Sequence, residues 1–365
     1  MRKTVCILTL ICTFISCSKN EVDKFVEIKI DPEKRMNYTT LTQIVDTVIF
    51  TPLQQPSQES LFGYIDKILM TDDHIAILDE RNNILNLYDL GGNFINRIGK
   101  IGNGPGEYIS IGDFQIYNGN INILDPIKKQ VFVYDLNNNF IDKKDLPFQG
   151  DIFSVLEDDL WLWGLSSYNI MKYKGSQIIS TNGDFKRINN CINYRDDIDN
   201  NTELSYYFSE FNGKTTYHRG LENLVYVFEK NGEIEEYLRF DFTKKYNVAE
   251  KYLSNISEFD NSFDNHCYLS TTPLIDDCYI LGTLNINDEL HSFIYDRKSE
   301  LTAINSLKHF NPLYLNFPFS AKDKTVISYF NSDIFPGFSE ADFLDTATKE
   351  IVADGGYVIV KYTLN

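Results

Sequence analysis

The run IGKIGNGPGEY at residues 98–108 lies between two copies of one strand pattern, and this arrangement decides the fold. The first copy has IAILD at 75–79 and ILNLYD at 84–89, and the second has INILD at 121–125 and VFVYD at 131–135. Equivalent aspartates, and the phenylalanine that follows each copy, are separated by the same 46 positions. Because the offset is equal at three equivalent positions, it indicates a repeat without slippage.

Each copy predicts four short antiparallel strands, which is the unit of a β-propeller blade. Asp79 and Asp125 end the second strand, where a carboxylate can accept backbone N–H bonds from the following turn. The turns at 89–93 and 135–139 contain Gly and Asn, which tolerate positive φ. In the first copy we expect the strands at residues 64–70, 75–79, 84–88 and 94–99.

The rest of the chain repeats this rhythm less regularly. It predicts an all-β, six-bladed β-propeller of four-stranded antiparallel blades, with seven blades as the alternative. We expect insertions at 189–209 and 244–263, and we expect residues 46–53 to pair with the end of the chain, because an open ring would expose two sheet edges. The later strands are expected at residues 152–156, 160–163, 214–218, 224–228, 234–240, 275–284, 290–295, 301–305, 325–331 and 356–363.

The N-terminus has the features of an export signal. A short basic region precedes an apolar stretch at 4–15, which is too short to span a bilayer, since a membrane helix needs about 20 apolar residues. The stretch closes on Cys17 in a pattern that resembles a bacterial lipobox, so we predict a lipoprotein signal at 1–16 and acylation of Cys17, palmitate included. An ordinary secretory signal is the alternative. The expected mature chain has a tether at 17–40 and a single propeller domain at 41–365.

The chain is acidic, with a formal net charge of −18. A negative surface repels phosphate backbones and anionic lipid headgroups, which argues against a nucleic acid partner. We therefore expect an exported outer membrane lipoprotein that contacts the membrane through its lipid anchor alone. The sequence leaves open whether the protein faces the periplasm or the cell surface.

Three cysteines follow Cys17, namely Cys191, Cys267 and Cys278, and an odd number cannot pair completely within one chain. Cys267 and Cys278 are spaced like positions on neighbouring strands of one hairpin. Exported proteins fold in an oxidising compartment, so a bridge between these two stays open beside the alternative of buried free thiols.

The glycine-rich run predicts a tight connection from the first blade to the second. Its glycines permit backbone torsions that are closed to other residues, and its proline fixes φ and has no N–H. We expect the glutamate to accept hydrogen bonds from the loop amides and the tyrosine to pack over the next blade. A phosphate-binding loop is the alternative, although the run lacks the Lys-Ser/Thr ending of a P-loop. The residues concerned are Gly102, Gly104, Pro105, Gly106, Glu107 and Tyr108.

This loop and its surroundings resemble the signature of a six-bladed β-propeller lipoprotein family of Gram-negative gut bacteria. The resemblance rests on GxGPGEY at 102–108, GNF at 92–94, GDF at 112–114 and the lipobox, and it covers the N-terminal third strongly. Such proteins are similar to NHL-like and gluconolactonase-type propellers, and most members have no assigned activity. The resemblance therefore implies fold and export rather than a reaction.

Signatures of catalysis are sparse in this sequence. Enzymes on related propellers commonly hold a metal at the central channel with His or carboxylates, and His218 and His266 are the weak candidates for such ligands here. No GxSxG nucleophile motif occurs. We predict no cofactor and leave calcium or another divalent metal open, because acidic rims can collect cations.

Aromatic residues are frequent in the least regular part of the chain, and such residues can form a glycan-binding surface. Packing in the core is the alternative explanation, since the chain contains 23 Tyr and 26 Phe. The speculative ligand contacts are Trp161, Trp163, Tyr206 and Tyr207, with Tyr168, Tyr173 and Phe208 nearby.

These features together predict an exported, lipid-anchored propeller that acts as a non-catalytic binding module for a glycan, peptide or protein partner. The alternative is a metal-dependent hydrolase, lactonase or lyase with its site at the propeller channel. In either case the site should lie at the channel or in the irregular loops after residue 160.

Overall fold

The computed structural model describes residues 25–33, 44–165, 175–193, 207–249, 252, 266–308, 311, 314–335 and 337–365. Within these residues the chain forms six antiparallel β-sheets, as the repeat predicted. The sheets are the blades of a six-bladed β-propeller, each built on four strands.

The strands follow the chain from blade to blade. Two strands, β1 (Phe25–Lys29) and β2 (Val45–Pro52), precede the first blade. The first blade contains β3 (Lys67–Met70), β4 (His74–Asp79), β5 (Ile84–Asp89) and β6 (Phe94–Arg97). The second contains β7 (Asp113–Tyr117), β8 (Asn120–Asp125), β9 (Gln130–Asp135) and β10 (Phe140–Asp145). The third contains β11 (Gly150–Val155), β12 (Leu160–Leu165), β13 (Ser176–Asn182) and β14 (Ile188–Asn193).

The last three blades are less regular in their connections. The fourth contains β15 (Ser209–Phe211), β16 (Lys214–His218), β17 (Leu224–Phe228) and β18 (Ile234–Asp241). The fifth contains β19 (Cys267–Leu269), β20 (Leu274–Ile275), β21 (Tyr279–Ile286), β22 (Glu289–Asp296) and β23 (Leu301–Ser306). The sixth contains β24 (Ser320–Lys322), β25 (Thr325–Phe330) and β26 (Val358–Leu364) together with β2. Short helices lie at Gln58–Ser60, Glu157–Asp159, Thr243–Tyr246, Phe338–Glu340 and Thr346–Ala353.

The two ends of the chain close the ring. Strand β2 supplies the outer strand of the sixth blade and pairs antiparallel with β26, from Val45 opposite Leu364 to Pro52 opposite Val358. This confirms the predicted closure by residues 46–53, because the pairing satisfies the edge that each end would otherwise expose.

Strand β1 lies in the segment 17–40 that the sequence assigned to a tether, and the structure corrects that assignment. It adds to the fourth blade as a fifth strand, parallel to β18, with Phe25 opposite Tyr237 and Lys29 opposite Asp241. The segment has no repeat partner nearby in sequence, so its pairing with a strand about 210 positions later carries no local signal.

The repeated aspartates hold the turns of the first two blades, as predicted. Asp79 accepts the backbone N–H of Asn82 at 3.0 Å, and Asp125 accepts those of Ile127 at 2.9 Å and Lys128 at 2.8 Å. The other oxygen of each carboxylate receives an amide of the connection from the preceding outer strand, from Gly63 and Ile109 respectively, both at 2.7 Å. Each aspartate therefore joins two separate turns.

A second pair of aspartates caps the outer hairpins in the same way in both blades. Asp89 accepts the N–H groups of Gly91 and Asn93, each at 2.9 Å, and the Asn93 side chain at 2.8 Å. Asp135 accepts the N–H of Asn137 at 2.9 Å and the N–H and side chain of Asn139, each at 2.8 Å. The 46-residue period is thus a repeat of hydrogen bonds as well as of apolar positions.

The hydrophobic core is divided among the blade interfaces. One cluster contains Leu87 from the first blade and Phe132 from the second, and another contains Val131 from the second and Phe153 from the third. Further clusters join each later blade to its neighbour, and one joins the sixth blade to the first. Because each blade buries apolar side chains on both faces, its stability depends on having two neighbours.

The propeller has two distinguishable faces. The innermost strands β3, β7, β11, β15, β19 with β20, and β24 all run from one face, here called the upper face, to the other, the lower face. Successive strands in a blade alternate in direction, so each outer strand runs from the lower face back to the upper face. The turns held by Asp79 and Asp125 therefore lie on the upper face, and those held by Asp89 and Asp135 on the lower face.

The structure also corrects three details of the later blades. The predicted insertion at 189–209 begins later, because Ile188–Asn193 forms the outer strand of the third blade. The predicted strand at 275–284 is interrupted by a turn at 276–278. Cys267 and Cys278 lie at opposite ends of the inner edge of the fifth blade rather than on neighbouring strands, and both thiols are free.

Among the residues that the structure describes, no helix has both the length and the apolar composition needed to cross a membrane.

Replacing Asp125 with Ala should lower the free energy of unfolding by about 3 kcal/mol, because three backbone N–H groups lose their acceptor in a buried site. Asp135→Ala is the matched control, since it also removes three hydrogen bonds but from an exposed turn where water can replace them, and it should cost about 1 kcal/mol or less. Denaturant unfolding measures both. Equal losses would contradict the role assigned to the buried carboxylate.

Candidate functional site

The central channel is a candidate site in the described structure. It encloses a cavity of about 1110 Å³ that is lined by residues from the inner edges of all six blades. Strand β15 packs against β24, because the inner strand of the fifth blade is interrupted after Leu269 and lets its two neighbours approach each other. A cavity of this size, with walls from every blade, can enclose a ligand of several rings.

A buried ion pair holds the channel wall where the first two blades meet. Lys67 Nζ donates to Asp113 Oδ1 at 2.7 Å and to the carbonyl of Phe114 at 3.0 Å, and both side chains are almost fully buried. The second oxygen of Asp113 accepts the backbone N–H of Phe153 at 2.8 Å. The pair therefore connects the first three blades. Its lysine already donates hydrogen bonds to protein acceptors.

Around this pair lies a group of acidic and phenolic side chains at the upper end of the channel, here called the mouth cluster and defined as Asp66, Glu80, Asp151 and Tyr207. Tyr207 donates its hydroxyl to Glu80 Oε2 at 2.6 Å, and its ring lies 5.2 Å from Lys67 Nζ. Asp66 accepts the backbone N–H of Glu80 at 2.7 Å. Residues at strand ends of the first, third and fourth blades thus bring three carboxyl groups and one phenol together.

Protonation is favoured throughout the mouth cluster. Burial raises the pKa of Asp66 and of Glu80, and neighbouring carboxylates add to both shifts. Part of the Asp151 side chain is accessible to solvent, yet the surrounding protein raises its pKa to about 6, with Glu80 as the second cause. Burial, followed by the charge of Glu80, also raises the pKa of Tyr207 well above its usual value. A ligand that donates hydrogen bonds here would relieve this crowding of acceptors.

Glu210 places another acceptor in the same channel. Its Oε1 receives the hydroxyl of Ser154 at 2.6 Å. The residue is open to the water of the channel, but the enclosing protein raises its pKa, and the nearby Lys67 opposes this rise. Glu210 therefore extends the row of acceptors from the mouth cluster into the channel.

The fifth blade contributes three consecutive hydroxyl-bearing residues to the channel wall. Ser270, Thr271 and Thr272 lie in the interruption between β19 and β20, and they line the cavity. Their hydroxyl oxygens have no hydrogen-bond partner among the described residues. Buried hydroxyl groups are normally bonded, so these three are available to a ligand after a rotation about one side-chain bond.

The lysines at the lower end of the channel already have acidic partners. Lys214 contacts Glu235 at 2.8 Å and Asp277 at 2.9 Å, Lys230 contacts Glu157, and Lys322 contacts Asp72 and Asp323. By contrast, Asp66, Glu80 and Glu210 form no ion pair within the described part of the chain. The unpaired charge of the channel is therefore negative, and it lies towards the upper face.

The glycine-rich loop lies away from the channel and connects the first two blades. Glu107 accepts the backbone N–H of Gly104 at 2.8 Å, and Tyr108 is buried in the core between these blades, where its hydroxyl donates to the carbonyl of Ile98 at 3.1 Å. Gly106 has a φ of +75°, and a Cβ at this position would lie 2.7 Å from the Phe140 ring. Lys128 Nζ donates to the carbonyl of Gly102 at 3.0 Å and thereby ties the loop to the second blade.

The predicted aromatic contacts are placed very differently from one another. Trp161 and Trp163 are fully buried and stack with Phe153 at ring distances of 5.4 and 5.2 Å, so neither ring faces the channel. Tyr207 lines the channel. Tyr206, together with Tyr168 and Tyr173, lies outside the described residues.

The two candidate histidines lie in separate surroundings. His218 is buried, its Nε2 lies 2.7 Å from the carbonyl oxygen of Glu222, and burial lowers its pKa to about 4. The ring of His266 packs edge-on against Tyr252 at 5.4 Å. Among the described residues no group of three or more His, Cys, Asp or Glu side chains converges in a way that could hold a metal ion.

The sequence did not single out the acidic residues of the channel, although one signal was present. Lys67 and Asp113 occupy the same position in the two copies, because they also differ by 46, and each begins an inner strand. Opposite charges at one repeat position within apolar strands indicate a pair across the blade interface. Asp66, Glu80 and Glu210 carry no comparable signal, because carboxylates are common in this chain.

Comparisons with known proteins extend these observations. A family model described as a domain of unknown function, DUF4934, matches residues 25–352. No curated protein matches the chain. A protein described as exported, from Bacteroides fragilis, has a similar solved structure, with 17% sequence identity and a TM-score of 0.70 over 94% of this chain and 100% of that chain.

Two further solved structures are more distant. A DUF4221 family member from Bacteroides vulgatus has 9% identity and a TM-score of 0.55 over 88% of this chain and 97% of that chain. Virginiamycin B lyase from Staphylococcus aureus has 9% identity and a TM-score of 0.42 over 73% of this chain and 76% of that chain. At these identities the two Bacteroides structures, whose TM-scores exceed 0.5, show the fold alone.

Asp151→Asn should stabilise the protein above pH 7 and change its stability little below pH 4. The pKa of Asp151 is raised to about 6 in the folded state, so the folded protein binds this proton more tightly than the unfolded chain does. The stabilisation that this proton gives the folded state is complete below the pKa of Asp151 in the unfolded chain, and it is lost as the pH rises through 6. Solvent screening of the partly exposed side chain should keep the gain at pH 7 below about 1 kcal/mol.

Melting temperatures measured from pH 4 to pH 8 test this expectation. Glu107→Gln is a contrasting variant, because the Gly104 amide and Lys100 lower the pKa of Glu107, so its removal should destabilise the protein at neutral pH. A loss of stability in Asp151→Asn at pH 7 would contradict the assignment of a destabilising charge to the mouth cluster.

Proposed function

We propose that this chain, which belongs to the DUF4934 family, is an exported, lipid-anchored protein that binds a glycan in its central channel without converting it. The observation that carries the proposal is the excess of hydrogen-bond acceptors in the channel. Asp66, Glu80 and Glu210 face a cavity of about 1110 Å³ and have no cation partner among the described residues.

A glycan matches this lining because it offers many hydroxyl donors on a neutral body. Carboxylates accept strong hydrogen bonds from hydroxyl groups, and the wall of Ser270, Thr271 and Thr272 can both donate and accept. Tyr207 and Phe319 line the same cavity and provide aromatic surface for the apolar face of a sugar ring. The combination of acceptors, two-way hydroxyl groups and aromatic rings supports a sugar better than an anion.

The chemistry of the channel also supports binding rather than turnover. Two of the three carboxyl groups of the mouth cluster are held in place by the protein, Asp66 by a backbone amide and Glu80 by Tyr207. Lys67 is held by Asp113 and a backbone carbonyl. These groups are positioned to accept hydrogen bonds at fixed points, which favours recognition.

Export and anchoring are supported by the N-terminal sequence. A basic start, an apolar stretch at 4–15 and Cys17 follow one another in the order of a lipoprotein signal. The similar structure from Bacteroides fragilis is that of a protein described as exported. Acyl chains on Cys17 would hold the propeller at a membrane, since each buried CH₂ contributes about 0.8 kcal/mol.

Glu80→Gln and Tyr207→Phe should each weaken glycan binding by about tenfold, which corresponds to about 1.4 kcal/mol for one strong hydrogen bond. A glycan array probed with the mature Cys17→Ser protein identifies the ligand, and calorimetric titration of that glycan measures the loss. Glu107→Gln serves as the control, because Glu107 lies in the glycine-rich loop outside the channel and its replacement should leave the affinity unchanged.

Three results would count against this proposal. Unchanged affinity in both channel variants would place the ligand elsewhere on the protein. Binding of amine-bearing peptides in the absence of any glycan would show that the ligand class is wrong. Cleavage or rearrangement of the bound glycan, detected by mass spectrometry after incubation, would show an enzyme instead of a binding protein.

Cys17→Ala should lower the membrane-bound fraction at least about tenfold in a Gram-negative host, since the lipid supplies the expected contact with the bilayer. Mass spectrometry of the N-terminal peptide should find acyl groups on Cys17 in the natural chain. Cys12→Ala, inside the apolar stretch of the signal, is the matched control and should leave both results unchanged. Membrane association of the Cys17→Ala protein at the natural level would refute the anchor.

A further inference from the structure

We propose that the anchored propeller presents its lower face to the membrane and its upper face, with the mouth cluster, to the solvent beyond. The inference rests on the proposed acylation of Cys17 and adds an orientation to it. Its basis is the pairing of β1 with β18, which determines where the chain leaves the propeller towards its N-terminus.

The direction of β1 provides the first step. The fourth blade alternates in direction from its inner strand outwards, so its outer strand β18 runs from the lower face to the upper face. Strand β1 is parallel to β18 and therefore runs the same way. The N-terminal end of β1, Phe25, is therefore the end nearer the lower face, and a tether that continues the line of the strand would leave on that side.

The firm attachment of β1 provides the second step. Ile28 and Ile30 are almost fully buried among residues of the fourth and fifth blades, and the Ile30 N–H donates to the carbonyl of Asp241 at 2.9 Å. The Phe25 ring stacks on Tyr237 at 5.2 Å. This strand is part of the folded domain, so the tether begins at a defined point on the rim.

The length of the tether provides the third step. Seven residues lie between Cys17 and Phe25, and the eight fully extended steps that join the two span about 28 Å. Phe25 lies opposite Tyr237, three positions after β18 begins at Ile234, which is about 10 Å from the lower edge. The lipid can therefore extend at most about 18 Å beyond the lower face.

Reaching the upper side would require the tether to reverse its direction at Phe25. It would then have to run back past the four positions that separate Tyr237 from Asp241, about 13 Å, before leaving the propeller. About 15 Å of the 28 Å would remain beyond the upper edge, and a reversing turn of two or three residues would use about 7–10 Å of it, so the reach on that side is shorter than the 18 Å on the lower side. Chain direction and chain length therefore favour the same orientation.

This orientation has a consequence for ligand access. The mouth cluster and Glu210 lie towards the upper face, so a ligand would reach the channel from the solvent and not from the lipid surface. The lower face carries acidic turns such as those at Glu157–Asp159 and at Asp276 and Asp277, which anionic headgroups repel. The face is held near the membrane by the lipid and does not dock into it.

Two labelling positions on one blade can measure the orientation. Cys278 is exposed in a turn on the lower face, and Glu289 is exposed at the other end of β21, about 25 Å away along the strand. A donor dye is attached to Cys278 in a Cys191→Ser protein, where Cys267 is too buried to react. In the second protein, Cys278→Ser and Glu289→Cys move the dye to the upper end.

Both proteins are reconstituted through their lipid into vesicles that contain acceptor-labelled headgroups. Energy transfer from Cys278 should exceed that from Glu289→Cys by at least about twofold, because the two dyes differ in height by about 25 Å. Insertion of about 20 Gly and Ser residues between Lys24 and Phe25 should abolish the difference, since a flexible linker of that length lets either face approach the bilayer. Equal transfer without the insertion, or greater transfer from Glu289→Cys, would overturn the orientation.

The orientation and the proposed anchor are refuted by different measurements. If Cys17 is not acylated, mass spectrometry shows this directly. The same dye pair is then measured on a chain in which a hexahistidine tag replaces residues 17–22, so that the tether keeps its length, and which is bound to vesicles of nickel-chelating lipid. A preference for the lower face in that experiment supports the geometry independently, and its absence overturns it.

Discussion

The backbone pairing of β2 with β26 is the constraint on which the rest of this propeller depends. Each blade buries apolar side chains against two neighbours, so the first and sixth blades are complete only when the ring is closed. Seven residue pairs, from Val45 with Leu364 to Pro52 with Val358, join the chain's two ends for that purpose. Without them the sixth blade would lose its outer strand and two sheet edges would be open to other chains. The closed ring in turn arranges the six inner edges around one axis, and this creates the channel.

Within the closed ring, the surroundings of each charged side chain determine how well its charge is stabilised. Buried carboxylates such as Asp79 and Asp125 accept several backbone amides and hold turns, so their charge is stabilised by structure. Lys67 and Asp113 neutralise each other inside the channel wall. The acidic groups of the mouth cluster have fewer partners, and burial together with the charge of neighbouring carboxylates raises the pKa of each. These hydrogen-bond acceptors lack matching donors in the protein, and a ligand in the adjacent cavity can supply those donors.

Strand β1 connects this channel with the location of the protein in the cell. Its side chains Ile28 and Ile30 belong to the core, while its N-terminal end is separated from Cys17 by only a short tether. The same strand therefore contributes to stability and determines which face a membrane anchor would approach. With the lower face towards the bilayer, the acceptors of the channel are directed to the solvent, where a soluble glycan would be encountered. Under the proposed anchoring, the fold, the channel and the orientation at the membrane would all follow from one arrangement of strands.

The sequence by itself determined the propeller, its first two blades, the closure of the ring and the hydrogen-bonded turns of the repeat. These features depend on residues that are close in sequence or that recur at an equal spacing of 46, so local patterns reveal them. Tertiary structure alone decided that Trp161 and Trp163 are core residues and that Phe25–Lys29 joins the fourth blade. It also decided that Asp66, Glu80 and Glu210 share a channel with Tyr207. These contacts join positions up to about 210 residues apart. Carboxylates are common in this acidic chain, so the sequence around one of them does not indicate whether it will face the cavity. Closing the ring brings such positions together, so their roles exist only in the folded protein.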